Sequence, residues 1–330
     1  MSTLAHAKWF VDDVGAFQPQ WDFLFAPASF ALIAAACLLA AVWRVVAARL
    51  PVPELGLLRP LGRLSPWIPR LLGVHLGVSL LSLAVTDAYL APHLSLGSVP
   101  GGPAIALAEG VVGVWLITGV RLRPAAIAVV ALGPLGLVLA GPVAVLEAAD
   151  LLGIALFLAL LPPGADRHGA RPVDVQTLAA PLLALRVCVG AALIVVALSE
   201  KLTNPAISAE FLDRYPALDL FRLVGLDLGE LAFIRFAAAV EIAFGLLIIS
   251  GASPQAVVIV AGIPFNATLF FLDRSELIGH LPIYGAMLAL LVYGSDPALA
   301  RAVPKLRGVG GFAARRLSAP VAARSAPPRE

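Results

Sequence analysis

Apolar positions in this chain follow neither the helical nor the strand period. They run on continuously, and polar residues interrupt them only at short intervals. Apolar stretches cover Pro27–Arg49, Leu71–Leu90, Ala104–Val120, Ala125–Ala140, Val143–Leu161, Ala179–Ser199, Leu231–Gly251, Ala256–Phe271 and Leu277–Tyr293, each about 16–23 residues long. At 1.5 Å of rise per helical residue, such lengths cross a hydrocarbon core of ~30 Å. Backbone groups in lipid must satisfy one another, which leaves helices or closed barrels. Barrel strands alternate apolar and polar positions, and these stretches do not. The pattern predicts an all-α polytopic membrane protein with about nine transmembrane helices.

A composition of 60% hydrophobic and 13% charged residues excludes a soluble core. The formal charge of +2 says less than its placement. Arg49, Arg59, Arg63 and Arg70 lie between the first two spans, Arg121 and Arg123 after the third, Arg167 and Arg171 after the fifth. Loops 91–103 and 141–142 carry no Lys or Arg. The positive-inside rule then places the N-terminus outside and the C-terminus in the cytoplasm, which needs an odd number of spans. Residues 1–26 hold no basic stretch leading into a short apolar run, so the first span reads as a retained anchor. The tail 295–330 is basic and Pro/Ala-rich and reads as a solvated segment near anionic lipid. Cys37 and Cys188 fall inside apolar spans without a Cys-x-x-Cys motif, so neither a metal site nor a dithiol pair is encoded.

The chain also repeats itself. Ser82–Asp87 aligns with Ser199–Asn204 at an offset of 117, and Glu109, Gly113 and Gly119 align with Glu241, Gly245 and Gly251 at 132. Pro134 aligns with Pro264, and Asp150 with His280, at 130. These matches predict two four-helix repeats, 71–162 and 179–294, preceded by one helix at 27–49 and joined by a cytoplasmic linker at 163–178. An even number of spans per unit makes the repeats parallel rather than inverted.

Lone charges at mid-bilayer cost about 2.5–3.5 kcal/mol each on insertion scales, so membrane-embedded polar groups should face one another. With this topology most of them gather toward the outer side, and the second repeat is the richer. Its candidates are Glu241 and His280 for proton exchange, with Lys201, Arg235, Asn266, Arg186 and Glu200 for binding. Asp273 and Glu276 flank the hinge into the last span. A long outer loop, 200–230, carries Asn204-Pro205 through Tyr215-Pro216, which reads as a short amphipathic surface helix. The alternative is an interhelical ion pair, Glu241 with Arg186, Lys201 or Arg235, that fixes packing alone. Haem is disfavoured: His75 lies near the inner face, and His93 sits in a Pro/Gly-rich loop. No dinucleotide, P-loop, zinc-protease or nucleophile-elbow motif occurs, nor any nucleic-acid signature.

The second repeat resembles the DoxX-like family of bacterial four-helix membrane proteins. The likeness rests on Arg186 early in a first helix, Ser199-Glu200-Lys201-Leu202 at its end, Glu241-x-x-x-Gly245-Leu-Leu-x-x-x-Gly251, and Gly279-His280 before the last helix. It covers roughly residues 180–294, and more faintly 70–162. That family includes membrane subunits of thiosulfate:quinone oxidoreductase. The resemblance implies the bacterial inner membrane, a bound quinone with no intrinsic cofactor, and an oxidoreductase partner subunit. Duplication of the unit and the leading helix depart from the family pattern. A small-solute or proton transporter, and a non-catalytic membrane scaffold, remain open alternatives.

Overall fold

The computed structural model describes residues 7–11, 14–162, 175–226, 228–272 and 274–302. Asp273, Arg167, Arg171 and the basic tail beyond residue 302 lie outside them. After two short turns, α1 (Trp21–Leu24) leads into α2 (Pro27–Ala47), opened by a proline whose missing N–H costs nothing in a first turn. A 3₁₀ stretch, Gly56–Trp67, precedes α3 (Ile68–Val85). Then come α4 (Gly102–Thr118), α5 (Leu122–Glu147) and α6 (Ala149–Leu160). The second half holds α7 (Val175–Val196), the short helices α8 (Pro205–Arg214) and α9 (Leu220–Leu223), α10 (Glu230–Ser250), α11 (Pro254–Thr268) and α12 (Arg274–Ser295).

The regular structure of the described residues is all helical apart from one small feature. The second span, expected to run to Leu90, ends at Val85, and β1 (Ala88–Tyr89) pairs antiparallel with β2 (Ala91–Ser95) between α3 and α4. Among the described residues, six helical segments are long and apolar enough to cross a membrane, as an integral membrane protein requires: Pro27–Ala47, Gly56–Val85, Leu122–Glu147, Val175–Leu202, Glu230–Ser250 and Ser275–Ser295. Three further apolar helices, α4, α6 and α11, are shorter. The expected boundary at 141–142 is a kink rather than a loop. Gly141 takes φ 80, outside helical values, and helix resumes at once through Glu147. A second break follows at Ala148, which leaves α6 only 12 residues.

Glycines set the closest helix contacts. Where α3 crosses α4, a β-carbon on Gly77 would lie 2.6 Å from the Gly113 carbonyl oxygen, and one on Gly113 2.8 Å from that of Gly77. Where α7 crosses α10, Gly190 and Gly245 stand in the same reciprocal relation, at 2.5 and 2.6 Å. Only residues without a side chain allow backbones this near, the usual device where no hydrophobic force separates helix from lipid. Two further contacts tie the halves together: Gly153 of α6 packs on Cys188 of α7, and Gly285 of α12 packs on His75 of α3. Both α4 and α10 end on a left-handed glycine, Gly119 and Gly251. One apolar core runs through both halves, and a second joins the N-terminal segment, α2, α8 and α10. Ile33 and Ala36 of α2 belong to that second core, with Ala238, Ile242 and Ala243 of α10.

Candidate functional site

The site begins with an extra turn of helix. From the crossing glycine to the C-terminal cap, α3 runs nine residues, Gly77 to Thr86. The corresponding path in the second half runs thirteen, Gly190 to Thr203. The glycines thus pair at an offset of 113, and the helix ends at 117. This longer path ends in a π-helical segment, Ala197–Leu202, which continues α7. Single π turns widen a helix and appear often at functional sites. This one brings Glu200 and Lys201 into the interior, both at most 1% exposed.

Lys201 Nζ lies 2.9 Å from Glu241 Oε1, and both side chains are sealed from solvent. Glu200 and His280 lie within Coulombic range of the Glu241 carboxylate. On α12, one turn apart, His280 Nδ1 stands 3.1 Å from Glu276 Oε1, and both residues are fully buried. Thr268, at the end of α11, donates its hydroxyl to the same Glu276 oxygen. Four helical elements, the π turn, α10, α11 and α12, therefore supply one polar cluster of carboxylates interleaved with a lysine and an imidazole. The second Glu241 oxygen, Oε2, makes no hydrogen bond among the described residues.

The N-terminal segment covers this cluster. The Trp9 ring sits 5.0 Å from the His280 imidazole, and the Phe265 ring meets it edge-on at 5.0 Å. A β-carbon on Gly279 would fall 2.1 Å from the Trp9 ring, so that glycine makes the space Trp9 fills. Lys8 pairs with Glu147, which also accepts from the Ser199 hydroxyl of the π turn. Phe10 packs between Phe211 and Tyr215, and Arg214 Nη1 donates to the Phe10 carbonyl at 2.9 Å. The α8 helix is docked rather than free on the surface: Ile207, Phe211 and Leu212 are buried, and Ser208 donates to the Glu200 carbonyl at 3.0 Å. Asn204 precedes α8 without a side-chain capping bond. A small cavity of about 20 Å³ lies between Trp9, His93, Glu147, Asp150 and Gly279. A single water needs about 10–15 Å³ on this measure.

The structure thus brings together Glu200, Lys201, Glu241 and His280 and places the other expected residues elsewhere. Arg235 turns toward the N-terminal helices, with its guanidinium 3.9 Å from the Phe23 ring centroid and Nε donating to Ser29 Oγ at 3.2 Å. Asn266 is exposed and donates to the Gly262 carbonyl of its own helix. Arg186 is buried on α7, 14 residues before Glu200 and so roughly 21 Å away along the axis. Glu276, Thr268, Trp9 and Lys8 were absent from the expected site. Of these only Glu276 had a sequence signal, four residues ahead of His280 and so on the same helix face. Among the described residues, no group of three or more His, Cys, Asp or Glu side chains is arranged for a metal ion.

The first half offers a simpler counterpart. Glu109 of α4 is fully buried like Glu241, but its Oε1 lies 3.5 Å from a backbone N–H, that of Leu90, rather than beside a lysine. No family model, curated protein or solved structure matches this chain.

Proposed function

We propose that this is a duplicated DoxX-like protein of the bacterial inner membrane, acting as the membrane subunit of a quinone-linked redox system. In this reading nine helices span the bilayer as a leading helix and two parallel repeats, with the N-terminus outside. The paired glycine crossings, the shared buried glutamates Glu109 and Glu241, and the reciprocal packing of Gly153 and Gly285 support the duplication. The observation that carries the functional reading is the buried Lys201–Glu241 pair beside His280 and Glu276. Ionisable groups inside a membrane are costly and usually functional, and this set can hold and pass protons.

The sequence encodes no redox-cofactor motif, and in this reading a bound quinone supplies the electron chemistry and an oxidoreductase partner supplies the electrons. Glu241 and His280 exchange the protons that accompany reduction of the head group. Lys201 fixes the Glu241 carboxylate through Oε1, which leaves Oε2 as the acceptor facing a proton or a head-group hydroxyl. Glu200 and Glu276 balance the buried cations. In native membranes, Glu241→Gln should abolish quinone-dependent turnover while the protein is still made; unchanged turnover would sink the proposal. The second reading, a proton path without redox chemistry, draws on the water-sized cavity between Trp9, Glu147 and Asp150. It predicts pH-gradient-driven proton flux in liposomes that needs no quinone.

A further inference from the structure

A second polar feature lies near the other end of α7, away from the buried cluster. A cavity of about 220 Å³ opens where the last turn of α2, the 51–54 segment, the turn between α10 and α11, and the end of α12 meet. Its charged lining is Arg44, Arg301 and Glu54. Glu54 is already committed: its Oε1 accepts from the backbone N–H groups of Gln255 and Ala256 at 2.7 and 3.3 Å, at the start of α11. That carboxylate satisfies the helix terminus and sits on its positive end. The guanidinium groups of Arg44 and Arg301 make no hydrogen bond or ion pair with any described residue. A third guanidinium, that of buried Arg186, lies within Coulombic range of Arg44. The Ser253 hydroxyl also lines the cavity without a hydrogen bond, on a residue held in the left-handed region at φ 50. Beyond Arg301 the sequence adds six basic residues and one acid.

We propose that this cavity is a phosphate site that holds the head group of an anionic phospholipid, with Arg44 and Arg301 on the phosphate oxygens and Ser253 as a further donor. Planar guanidinium groups match phosphate geometry and bind it in bidentate fashion. Position favours a lipid over a soluble anion. Arg44 stands in the last turn of α2 beside Val42, Val45 and Val46, all exposed on the apolar outer face of that helix. Acyl chains would run along this face while the head group occupies the cavity. Basic pockets between membrane helices bind anionic head groups in this way.

The test is native mass spectrometry of the full chain in detergent, titrated with phosphatidylglycerol and, separately, with phosphatidylcholine. The wild type should retain phosphatidylglycerol over phosphatidylcholine. Arg44→Gln with Arg301→Gln should weaken that retention roughly thirtyfold, at about 1 kcal/mol per basic residue. The double Lys variant should keep part of it. Because Arg301 is exposed, Arg301→Gln alone gives a folded reference and should lose about fivefold. Millimolar inorganic phosphate separates the sources. Failure to displace phosphatidylglycerol supports the lipid head group. Displacement, with a phosphate-dependent rise in thermal stability lost in the double Gln variant, shows the same site serving free phosphate. Equal phosphatidylglycerol retention by wild type and both Gln variants, with no phosphate response, overturns the proposal.

Discussion

Replacing Lys201 with Met tests whether the central pair behaves as a buried, coupled unit. The change removes the ammonium and keeps an unbranched side chain one heavy atom shorter. At 2.9 Å the pair gains about 6 kcal/mol of Coulomb energy with an effective dielectric constant near 20, before desolvation is subtracted. The single variant leaves Glu241 buried beside Glu200 without its cation, and breaking a buried pair from one side typically costs about 3–5 kcal/mol. Lys201→Met should therefore be strongly destabilised. The double variant Lys201→Met/Glu241→Gln, with neither charge, should recover most of the loss, to within about 1 kcal/mol of wild type. Reversible unfolding in mixed micelles, followed by helical circular dichroism, measures all three variants and their coupling energy. A single-variant cost below about 1 kcal/mol, or a double variant no better than the single, would refute the reasoning.

Gly245→Val should force α7 and α10 apart at a contact of 2.6 Å and cost about 1–3 kcal/mol in the same unfolding assay. Gly113→Val should cost a similar amount at the α3–α4 crossing, and a large difference between the two would count against equivalent repeats. Gly279→Ala should expel the Trp9 ring from its seat on His280. In a variant with Trp9 as its sole tryptophan, fluorescence emission should move to the red, and unchanged emission would show that the cap sits elsewhere. Asn266→Ala should shift stability by less than about 0.5 kcal/mol and leave turnover intact, because its amide bonds only its own helix.

The helical membrane class was legible because lipid demands long apolar runs, and those runs are visible without knowing how they pack. The glutamate–glycine register was legible too: Glu109 with Gly113 and Glu241 with Gly245 recur because each glycine marks a helix crossing and each glutamate lies one turn before it. Depth along a span follows from counting residues, which is why Lys201, Glu241 and His280 could be grouped. Rotation about a helix axis does not follow. A helix apolar on all sides has no polar face to orient it, so nothing local marked Arg235 as facing Phe23 or Asn266 as facing outward. The π turn was hidden for a different reason. The longer path that contains it appears only as the disagreement between two offsets, 113 at the glycines and 117 at the helix ends. The seat of Trp9 on His280 was illegible altogether, since it joins positions at opposite ends of the chain through packing alone.

The most direct test of the account is the redox-induced infrared difference spectrum of the protein purified from native membranes with the quinone that the proposed function assigns to it. The account predicts a carboxyl C=O band that appears on quinone reduction in wild type and vanishes in Glu241→Gln. A spectrum unchanged by that substitution, or preparations that hold no quinone, would contradict it.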